Sequence, residues 1–283
     1  MRLLEEEFRR LSGDRERGAW EIALESARLS LEALREGASA IEVLRLHELV
    51  VRGHPEMVVL ANIHRILERA ASERELELAL SSLVDFMSGS SARIADRFAK
   101  FSEEEGLKSV ITISWSSTVL ECLRKAFGTG LLESAYVAES LPLGEGVKTA
   151  EKLRSLGLEV RVVPDSSIGH YVRAVDAAVV GADTVLRDGS LVNKVGTYLL
   201  ALAARAGERA LVSCASLLKV DVGGAFRGLR EFRSEVGGIE YTYPLFDVTP
   251  SSLVTVYLTE EGPIEPRYVL EASKRALRAL LLS

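Results

Sequence analysis

The chain has 283 residues, of which 35 are basic and 41 are acidic, so its net charge at pH 7 is −6. Hydrophobic residues make up 47% of the sequence and charged residues 27%, which is typical of globular proteins and excludes a disordered polyanion or a disulfide-dense scaffold. At about 150 residues per domain, this length predicts one large or two modest domains.

Cysteine usage and hydropathy predict a soluble, cytoplasmic protein. The two cysteines, Cys122 and Cys214, lie in apolar segments, which is typical of buried, reduced thiols. Residues 1–10 are charged and do not resemble a signal peptide, and no stretch approaches about 18 consecutive apolar residues, so we expect no membrane association. The mild acidity, without a Lys/Arg stripe carrying aromatic residues, also argues against direct nucleic-acid binding.

The first third of the chain has apolar residues at the three- and four-residue spacing of amphipathic helices. The patterned segments are residues 19–34, 41–51 and 57–70. Ser72 and Glu75 form a capping box that predicts the start of another helix. The Ser-Gly-Ser-Ser segment at 88–91 interrupts its pattern and predicts either a break or two helices before Phe101.

After Gly106 the pattern changes to short, β-branched apolar runs with helical segments between most of them. The predicted strands are residues 110–113, 135–138, 160–163, 177–180, 210–213 and 254–258. The predicted helices are residues 119–127, 147–156, 168–174, 195–206 and 267–281. Alternation of buried strands and helices predicts parallel βαβ crossovers and a doubly wound parallel sheet. We therefore predict an all-helical domain over residues 1–104 and an α/β domain over residues 105–283.

Polar residues follow these strands, where doubly wound sheets bind their ligands. The first four groups are Ser114-Trp115-Ser116-Ser117, Glu139-Ser140, Asp165-Ser166-Ser167 and Gly181-Ala182-Asp183. Asn193 and Lys194 come at the start of a predicted helix, and Lys219 follows the fifth strand. A carboxylate with two lysines and a helix start suits a phosphorylated, hydroxylated small molecule, because the cations and helix would hold phosphate while Asp183 bonds or deprotonates a hydroxyl.

The same residues also allow structural interpretations. An aspartate after a strand is more often a turn or helix cap than a catalyst, and Asn193 with Lys194 could be an ordinary helix start. None of the four histidines has a Cys or another His at ligand spacing, so no metal site is predicted, and no motif indicates a cofactor. A triad of Ser114, His170 and Asp183 lacks the G-x-S-x-G turn of hydrolases.

Two strings resemble the signature of a known superfamily: Val-Gly-Ala-Asp-Thr-Val at 180–185 and Gly-Ser-Leu-Val-Asn-Lys-Val-Gly-Thr-Tyr at 189–198. This superfamily joins the alpha, beta and delta subunits of translation initiation factor 2B to methylthioribose-1-phosphate isomerase and ribose-1,5-bisphosphate isomerase. Further matches are Arg17-Gly18-Ala19, Thr112-x-Ser114-Trp115-Ser116, Lys219 and Phe246-Asp247-Val248-Thr249-Pro250. The resemblance implies a helical N-terminal domain, a Rossmann-like C-terminal domain and a homodimer formed through the latter.

In the isomerase branches, a cysteine after the first strand and the aspartate of the Gly-Ala-Asp motif move protons or support hydride transfer between two sugar carbons. The resemblance assigns these catalytic positions to Ser114 and Asp183. It assigns ligand binding to Arg17, Gly18, Ala19, Ser116, Asn193, Lys194 and Lys219. A hydroxyl is a far poorer acid than a thiol, whose pKa is about 8.5. Two other positions depart from the family pattern: Leu141 replaces an arginine, and Glu56 replaces the threonine of an Arg-Pro-Thr motif.

Three functions follow as hypotheses. The first is a non-catalytic, initiation-factor-2B-like protein that binds a phosphorylated sugar or nucleotide, with a translation factor as a further candidate partner. The second is an aldose-ketose isomerase of a phosphorylated ribose, and the third is a structural protein with a vestigial pocket. The apolar run at the C-terminus is also expected to need something to cover it. That run consists of Leu277, Leu280, Leu281 and Leu282.

Overall fold

The structure is a computed structural model that describes residues 2–15 and 17–282. In this part of the chain, five helices precede the first strand: α1 (Arg2–Gly13), α2 (Ala19–Arg35), α3 (Ala40–Gly53), α4 (Val58–Leu67) and α5 (Glu73–Glu105). Ser72 caps α5, with its hydroxyl accepting the N–H of Glu75 at 3.2 Å. The Glu75 carboxylate accepts the N–H of Ala71, one residue before the expected partner.

The expected interruption of α5 at residues 88–91 is wrong, because the helix is continuous there. The small residues instead let α5 approach the sheet. The Ser90 hydroxyl is buried and donates to Glu260 at 2.5 Å, and the hydroxyls of Ser91 and Thr118 lie 3.3 Å apart. Tertiary contacts on both sides of the segment therefore maintain a helix that local propensity disfavours.

The remainder of the chain alternates strands and helices. The strands are β1 (Ser109–Ile113), β2 (Ser134–Ala138), β3 (Glu159–Val163), β4 (Ala177–Val180), β5 (Thr184–Val185), β6 (Leu191–Lys194), β7 (Ala210–Cys214), β8 (Glu231–Val236), β9 (Ile239–Pro244), β10 (Phe246–Thr249), β11 (Val256–Thr259) and β12 (Gly262–Ile264). The helices are α6 (Ser117–Gly128), α7 (Glu145–Ser155), α8 (Ile168–Tyr171), α9 (Thr197–Ala206) and α10 (Val269–Leu282).

The main sheet has the order β12-β11-β7-β4-β1-β2-β3. All neighbouring pairs from β11 to β3 are parallel, and β12 is antiparallel to β11. Counted in chain order, the parallel strands are arranged 3-2-1-4-5-6, the order of Rossmann-type sheets. The strand order reverses between β1 and β4, so the loops after these two strands border the crevice where such sheets bind ligands.

Two smaller sheets were not predicted from the sequence. Strands β10, β6 and β5 form an antiparallel sheet, and β8 pairs with β9 as a hairpin. Asn193 and Lys194 lie on β6 and not at the start of a helix, because the chain turns at Gly196 (φ +100°) before α9 begins. The helix predicted over 168–174 is α8 followed by a 3₁₀ turn.

The helical part and the sheet part share buried contacts. Leu218 and Leu277 belong to the same apolar core as helices α1 to α5. Leu277 is only 9% exposed, so at this position of the C-terminal run the expected cover is supplied by the chain itself. The side chains of Leu281 and Leu282 lie outside the described residues. The change from helices to strands falls between Glu105 and Ser109, close to the predicted boundary, and the division into two domains stays a prediction.

Candidate functional site

A pocket lies at the carboxyl edge of the main sheet, where the helical part meets the loops after β1 and β4. Its volume is about 720 Å³, including the space continuous with solvent. The structure brings all nine predicted site residues to its walls. These are Arg17, Gly18, Ala19, Ser114, Ser116, Asp183, Asn193, Lys194 and Lys219. The convergence of strand ends brings Ser114, Asp183 and Lys219 together, as expected for a doubly wound sheet. The start of α2 and strand β6 supply most of the other residues.

The N-terminus of α2 forms one wall of the pocket. Gly18 has extended backbone angles and precedes the helix, so the first-turn N–H groups begin at the pocket. The Arg17 guanidinium is held by Asp14 at 2.7 Å and stays one-third exposed. The Glu21 carboxylate accepts the Trp115 indole N–H at 3.3 Å, which joins α2 to the loop after β1. A helix N-terminus beside an arginine is suited to bind an anion such as phosphate.

Asp183 follows β4 and lies at the centre of the pocket's charged groups. Its N–H donates to the carbonyl of Val192 at 2.9 Å, which fixes its backbone beside β6. No residue in the described chain donates a hydrogen bond to its carboxylate. Burial raises the pKa of Asp183 to about 6, against the opposing effect of the Lys219 ammonium, and the nearby Glu145 carboxylate raises it further. This carboxyl can therefore accept or donate a proton near neutral pH.

Both lysines of the site are buried. Lys219 is 4% exposed, donates from Nζ to the carbonyl of Ala182 at 2.5 Å, and lies 5.9 Å from the centre of the Trp20 ring. Burial lowers the pKa of Lys219, while Asp183 acts in the opposite direction. The Lys194 ammonium lies 3.0 Å from the Glu145 carboxylate.

Glu145 is a site residue that the sequence analysis missed. It is the first residue of α7, and its neighbour Gly146 packs so closely on β2 that an added Cβ would lie 1.7 Å from the carbonyl oxygen of Ala138. This close approach brings Glu145 to the pocket. The glycine at the second position of α7 was the only local sign of a close backbone approach. It does not indicate that Glu145 pairs with Lys194, which is distant in the chain.

Ser114 is held rigidly after β1. It has φ +67°, its N–H donates to the Ser140 hydroxyl at 2.7 Å, and its carbonyl accepts the Thr149 hydroxyl at 2.7 Å. The Ser114 hydroxyl donates to Glu145 at 2.7 Å. Such a left-handed conformation is unusual for a non-glycine residue and marks a locally constrained site.

Ser116 and Asn193 have structural contacts at the edge of the pocket. The Ser116 hydroxyl caps α6 by accepting the N–H of Val119 at 3.3 Å. An added Cβ at Gly181 would lie 2.7 Å from that hydroxyl, so the Gly-Ala-Asp loop needs its glycine for this approach. The Asn193 amide donates to Thr197 at 3.0 Å. Ser116 therefore has a helix-capping role, although both residues also line the pocket.

The two other departures from the family pattern have different positions. Glu56 lines the pocket and is 3% exposed, with the Arg230 guanidinium 2.7 Å from its carboxylate, so its charge is matched within the protein. Leu141 is about half exposed and is not one of the residues that form the pocket wall. His170 is exposed and packs on Tyr171, so the triad with Ser114 does not form.

Asp247, from the matched string near the C-terminus, stabilises the start of α9. Its carboxylate accepts the N–H groups of Gly196 at 2.7 Å and Tyr198 at 3.1 Å. Burial raises the pKa of Asp247 to about 6, although these N–H groups favour its charged form. Across residues 2–15 and 17–282, no three His, Cys, Asp or Glu side chains are grouped to hold a metal ion.

The sequence matches a protein-family model. That model, of the initiation factor 2 subunit family, aligns with residues 18–266. The chain belongs to this family. Ribose 1,5-bisphosphate isomerase of Methanocaldococcus jannaschii is 25% identical over 298 residues, covering 96% of this chain and 95% of that protein. A putative translation initiation factor eIF-2B subunit 2-like protein of Pyrococcus horikoshii is 31% identical over 266 residues, covering 92% and 95%.

Solved structures show the same fold in initiation factor 2 relatives. Translation initiation factor eIF-2B of P. horikoshii has a TM-score of 0.84 at 30% identity, covering 93% of this chain and 97% of that one. The 5-methylthioribose 1-phosphate isomerase of that organism has a TM-score of 0.74 at 20% identity, covering 98% and 88%. At that identity the likeness shows the fold alone. Relatives of this chain are therefore named both as isomerases and as translation factors.

The raised pKa of Asp183 predicts a pH dependence of stability. In the unfolded chain this pKa is about 3.9. Between pH 4 and 6 the folded state binds more protons, so the free energy of unfolding falls as pH rises and stays lower above pH 6. Asp183→Asn removes this contribution. We expect the variant to gain about 1–2 kcal/mol relative to the unmodified protein between pH 4.5 and pH 7.5, measured by urea unfolding.

The control for this measurement is Asp96→Asn on α5, whose side chain is 62% exposed and pairs with Lys125 at the surface. We expect it to alter the pH dependence little. An unchanged pH dependence in Asp183→Asn would show that the Asp183 environment does not disfavour its charge.

Proposed function

We propose that this pocket binds a phosphorylated ribose-type sugar and that the protein acts as a ligand-binding member of its family. The observation that carries the proposal is the position of the Asp183 carboxylate, which accepts no hydrogen bond from the described residues. It lies near two buried lysines, in a pocket that the N-terminus of α2 also lines. The phosphate would bind at Arg17 and the helix N-terminus. Sugar hydroxyls would bind Asp183 and Asn193, because carboxylate and amide oxygens accept hydrogen bonds from hydroxyls.

The position of Ser114 supports binding without isomerisation. Its hydroxyl already donates to Glu145, and the charge of Glu145 is matched by Lys194. A serine hydroxyl is intrinsically a weak acid, and a hydrogen bond to a carboxylate further disfavours its ionisation. The group that occupies the thiol position of the isomerases is therefore poorly suited to transfer a proton.

A second candidate function is isomerisation of a phosphorylated ribose. It is favoured by Asp183, whose pKa of about 6 suits a general base or acid near neutral pH. A relative of this chain, from M. jannaschii, is named ribose 1,5-bisphosphate isomerase. The two candidates share the ligand class and differ in whether Ser114 supports proton transfer.

Removal of Arg17 tests the phosphate end of the pocket. The Arg17→Ala variant should bind ribose 1,5-bisphosphate on the order of tenfold more weakly, because a charge-assisted bond to phosphate is lost. Isothermal calorimetry measures the affinity. The matched control is Arg9→Ala, which removes another helix-region arginine held by a nearby carboxylate but lies outside the pocket. Equal affinities for both variants would contradict the assignment of the phosphate to Arg17.

A turnover assay separates the two candidate functions. We expect the unmodified protein not to convert ribose 1,5-bisphosphate or methylthioribose 1-phosphate at a useful rate. Ser114→Cys is expected to restore activity only partly, because the Glu145 carboxylate would hold the new thiol in its protonated form. Efficient turnover by the unmodified protein, abolished by Asp183→Asn, would contradict the first candidate and establish the isomerase.

We also propose a homodimer formed through the sheet part, in a cytoplasmic protein whose thiols Cys122 and Cys214 are buried and not joined by a disulfide. No helix of the described chain is long and apolar enough to span a membrane. Helix α9 exposes Leu199 and Leu202, which are 53% and 43% accessible and lie one turn apart. A solved structure with this fold, from C. thermophilum, is a tetrameric eIF2B beta2-delta2 complex, so subunits with this fold can assemble. A translation-factor partner remains a further proposal on the same basis.

The dimer proposal predicts the effect of charges on α9. The double variant Leu199→Glu/Leu202→Glu is expected to be monomeric at micromolar concentration, because a buried interface disfavours unpaired carboxylates. Light scattering measures the mass. The control is Ile41→Glu/Leu78→Glu, which alters two comparably exposed apolar residues of the helical part and should leave a dimer. A monomeric unmodified protein would overturn the proposal.

A further inference from the structure

A second pocket lies between α4 and α10 and is separate from the site described above. Its volume is about 550 Å³, including the part open to solvent. Ile66, Val222 and Leu277 supply apolar surface on its walls. A concave site that combines apolar surface with a few polar groups can hold a small organic molecule.

Four cations surround this second pocket: Arg65, Arg69, Lys274 and Arg278. Lys274 pairs with the exposed Glu271 at 2.6 Å, and Arg65 donates to the carbonyl of Gly223 at 3.1 Å. The side chains of Arg69 and Arg278 make no hydrogen bond or ion pair with any residue in the described ranges. The pocket therefore carries excess positive charge in a protein whose net charge is −6.

Asn62 forms the polar part of the pocket lining and is 2% exposed. Its side-chain amide donates to the carbonyls of Leu218 and Val220, each at 2.8 Å. Both amide hydrogens are used, so the orientation of the amide is fixed and Oδ1 is left as an acceptor. Within the described chain, Oδ1 is buried and has no hydrogen-bond partner. A buried acceptor without a donor is destabilising, so a ligand hydroxyl that donates to it would be stabilising.

We propose that this second pocket binds a small phosphate monoester with a hydroxylated body, as an effector of the first pocket. The phosphate binds the unpaired guanidinium groups of Arg69 and Arg278, and a ligand hydroxyl donates to Asn62 Oδ1. Leu218 and Val220, which Asn62 holds, flank Lys219 on either side. A ligand on Asn62 therefore acts on the segment that carries the buried lysine of the first pocket.

Calorimetry with ribose 5-phosphate tests the second site. The unmodified protein should show two binding events. The double variant Arg69→Glu/Arg278→Glu changes two exposed side chains. It should bind ribose 5-phosphate at the second pocket about tenfold or more weakly, and it should keep the binding event at the first pocket, which Arg17→Ala weakens. The matched control, Lys152→Glu/Arg154→Glu on α7, makes the same charge change away from the pocket and should keep both. Equal binding by the double variant and the unmodified protein would overturn the proposal.

Inorganic phosphate distinguishes the two parts of the ligand. It should bind the second pocket more weakly than ribose 5-phosphate, because it has no hydroxylated body to reach Asn62. Equal affinities would overturn the assignment of a hydroxyl to Asn62. These results do not depend on catalysis at the first pocket, whose failure to bind would appear separately as the absence of the event sensitive to Arg17→Ala.

Tryptophan fluorescence tests the coupling between the pockets. The chain has two tryptophans, Trp20 and Trp115, and both line the first pocket. Filling the second pocket in Arg17→Ala should change their emission, and Asn62→Ala should remove that change while keeping the phosphate contacts. If Asn62→Ala does not fold, Arg69→Glu/Arg278→Glu replaces it in the test. The tryptophan emission of this variant should not change when ribose 5-phosphate is added at concentrations that fill the second pocket. An unchanged emission in Arg17→Ala would overturn the effector role.

Discussion

Two buried lysines at the carboxyl edge of the sheet determine the arrangement of the candidate site. An ammonium group removed from water costs several kcal/mol unless carboxylates and hydrogen bonds compensate for the lost hydration. The Lys194 ammonium forms an ion pair with Glu145. The Lys219 ammonium donates to the carbonyl of Ala182, and the charge of Asp183 favours its protonated form. The close contact of Gly146 with β2, which brings Glu145 inward, is therefore part of the same electrostatic arrangement. An anionic ligand would add to this compensation.

The helical part contributes one side of the pocket, so its contacts with the sheet determine the pocket's shape. The Thr184 hydroxyl donates to the carbonyl of Glu56 and accepts the N–H of Val58 across this junction. Thr184 follows Asp183 directly, and Val58 begins α4. The carboxylate of the site and the second pocket are consequently joined to the same helix. This short connection gives the proposed effector a physical route to the first pocket.

The sequence predicted most of the site because the site residues follow strands that converge at one edge. The periodicity of the strands and the rule for parallel sheets were enough to group Ser114, Asp183 and Lys219. The residues at the start of α2, Arg17 to Ala19, were predicted only through the family resemblance. Glu145 and Arg230 were missed because their partners, Lys194 and Glu56, are distant in the chain and no local pattern relates them. Charge matching between remote side chains becomes visible only when the chain is folded.

The fold was predictable where segments were long and periodic. Strands β5 and β6 have two and four residues, too few to show alternation, and the lysine and asparagine of β6 were consistent with a helix start. At residues 88–91 serine and glycine have low helix propensity, which predicted a break. The packing of α5 against its neighbours outweighs that propensity. A serine that bonds a remote carboxylate, as Ser90 bonds Glu260, is indistinguishable in sequence from one that ends a helix.

The continuity of α5 restricts how a ligand can reach the first pocket. The helix has 33 residues, about 50 Å of rigid rod, and it packs on α2 at one end and on α6 at the other. A hinge at the predicted domain boundary would have to bend this rod or separate it from one of those neighbours. The α2 side and the α6 side of the first pocket are therefore expected to keep their relative positions when a ligand binds.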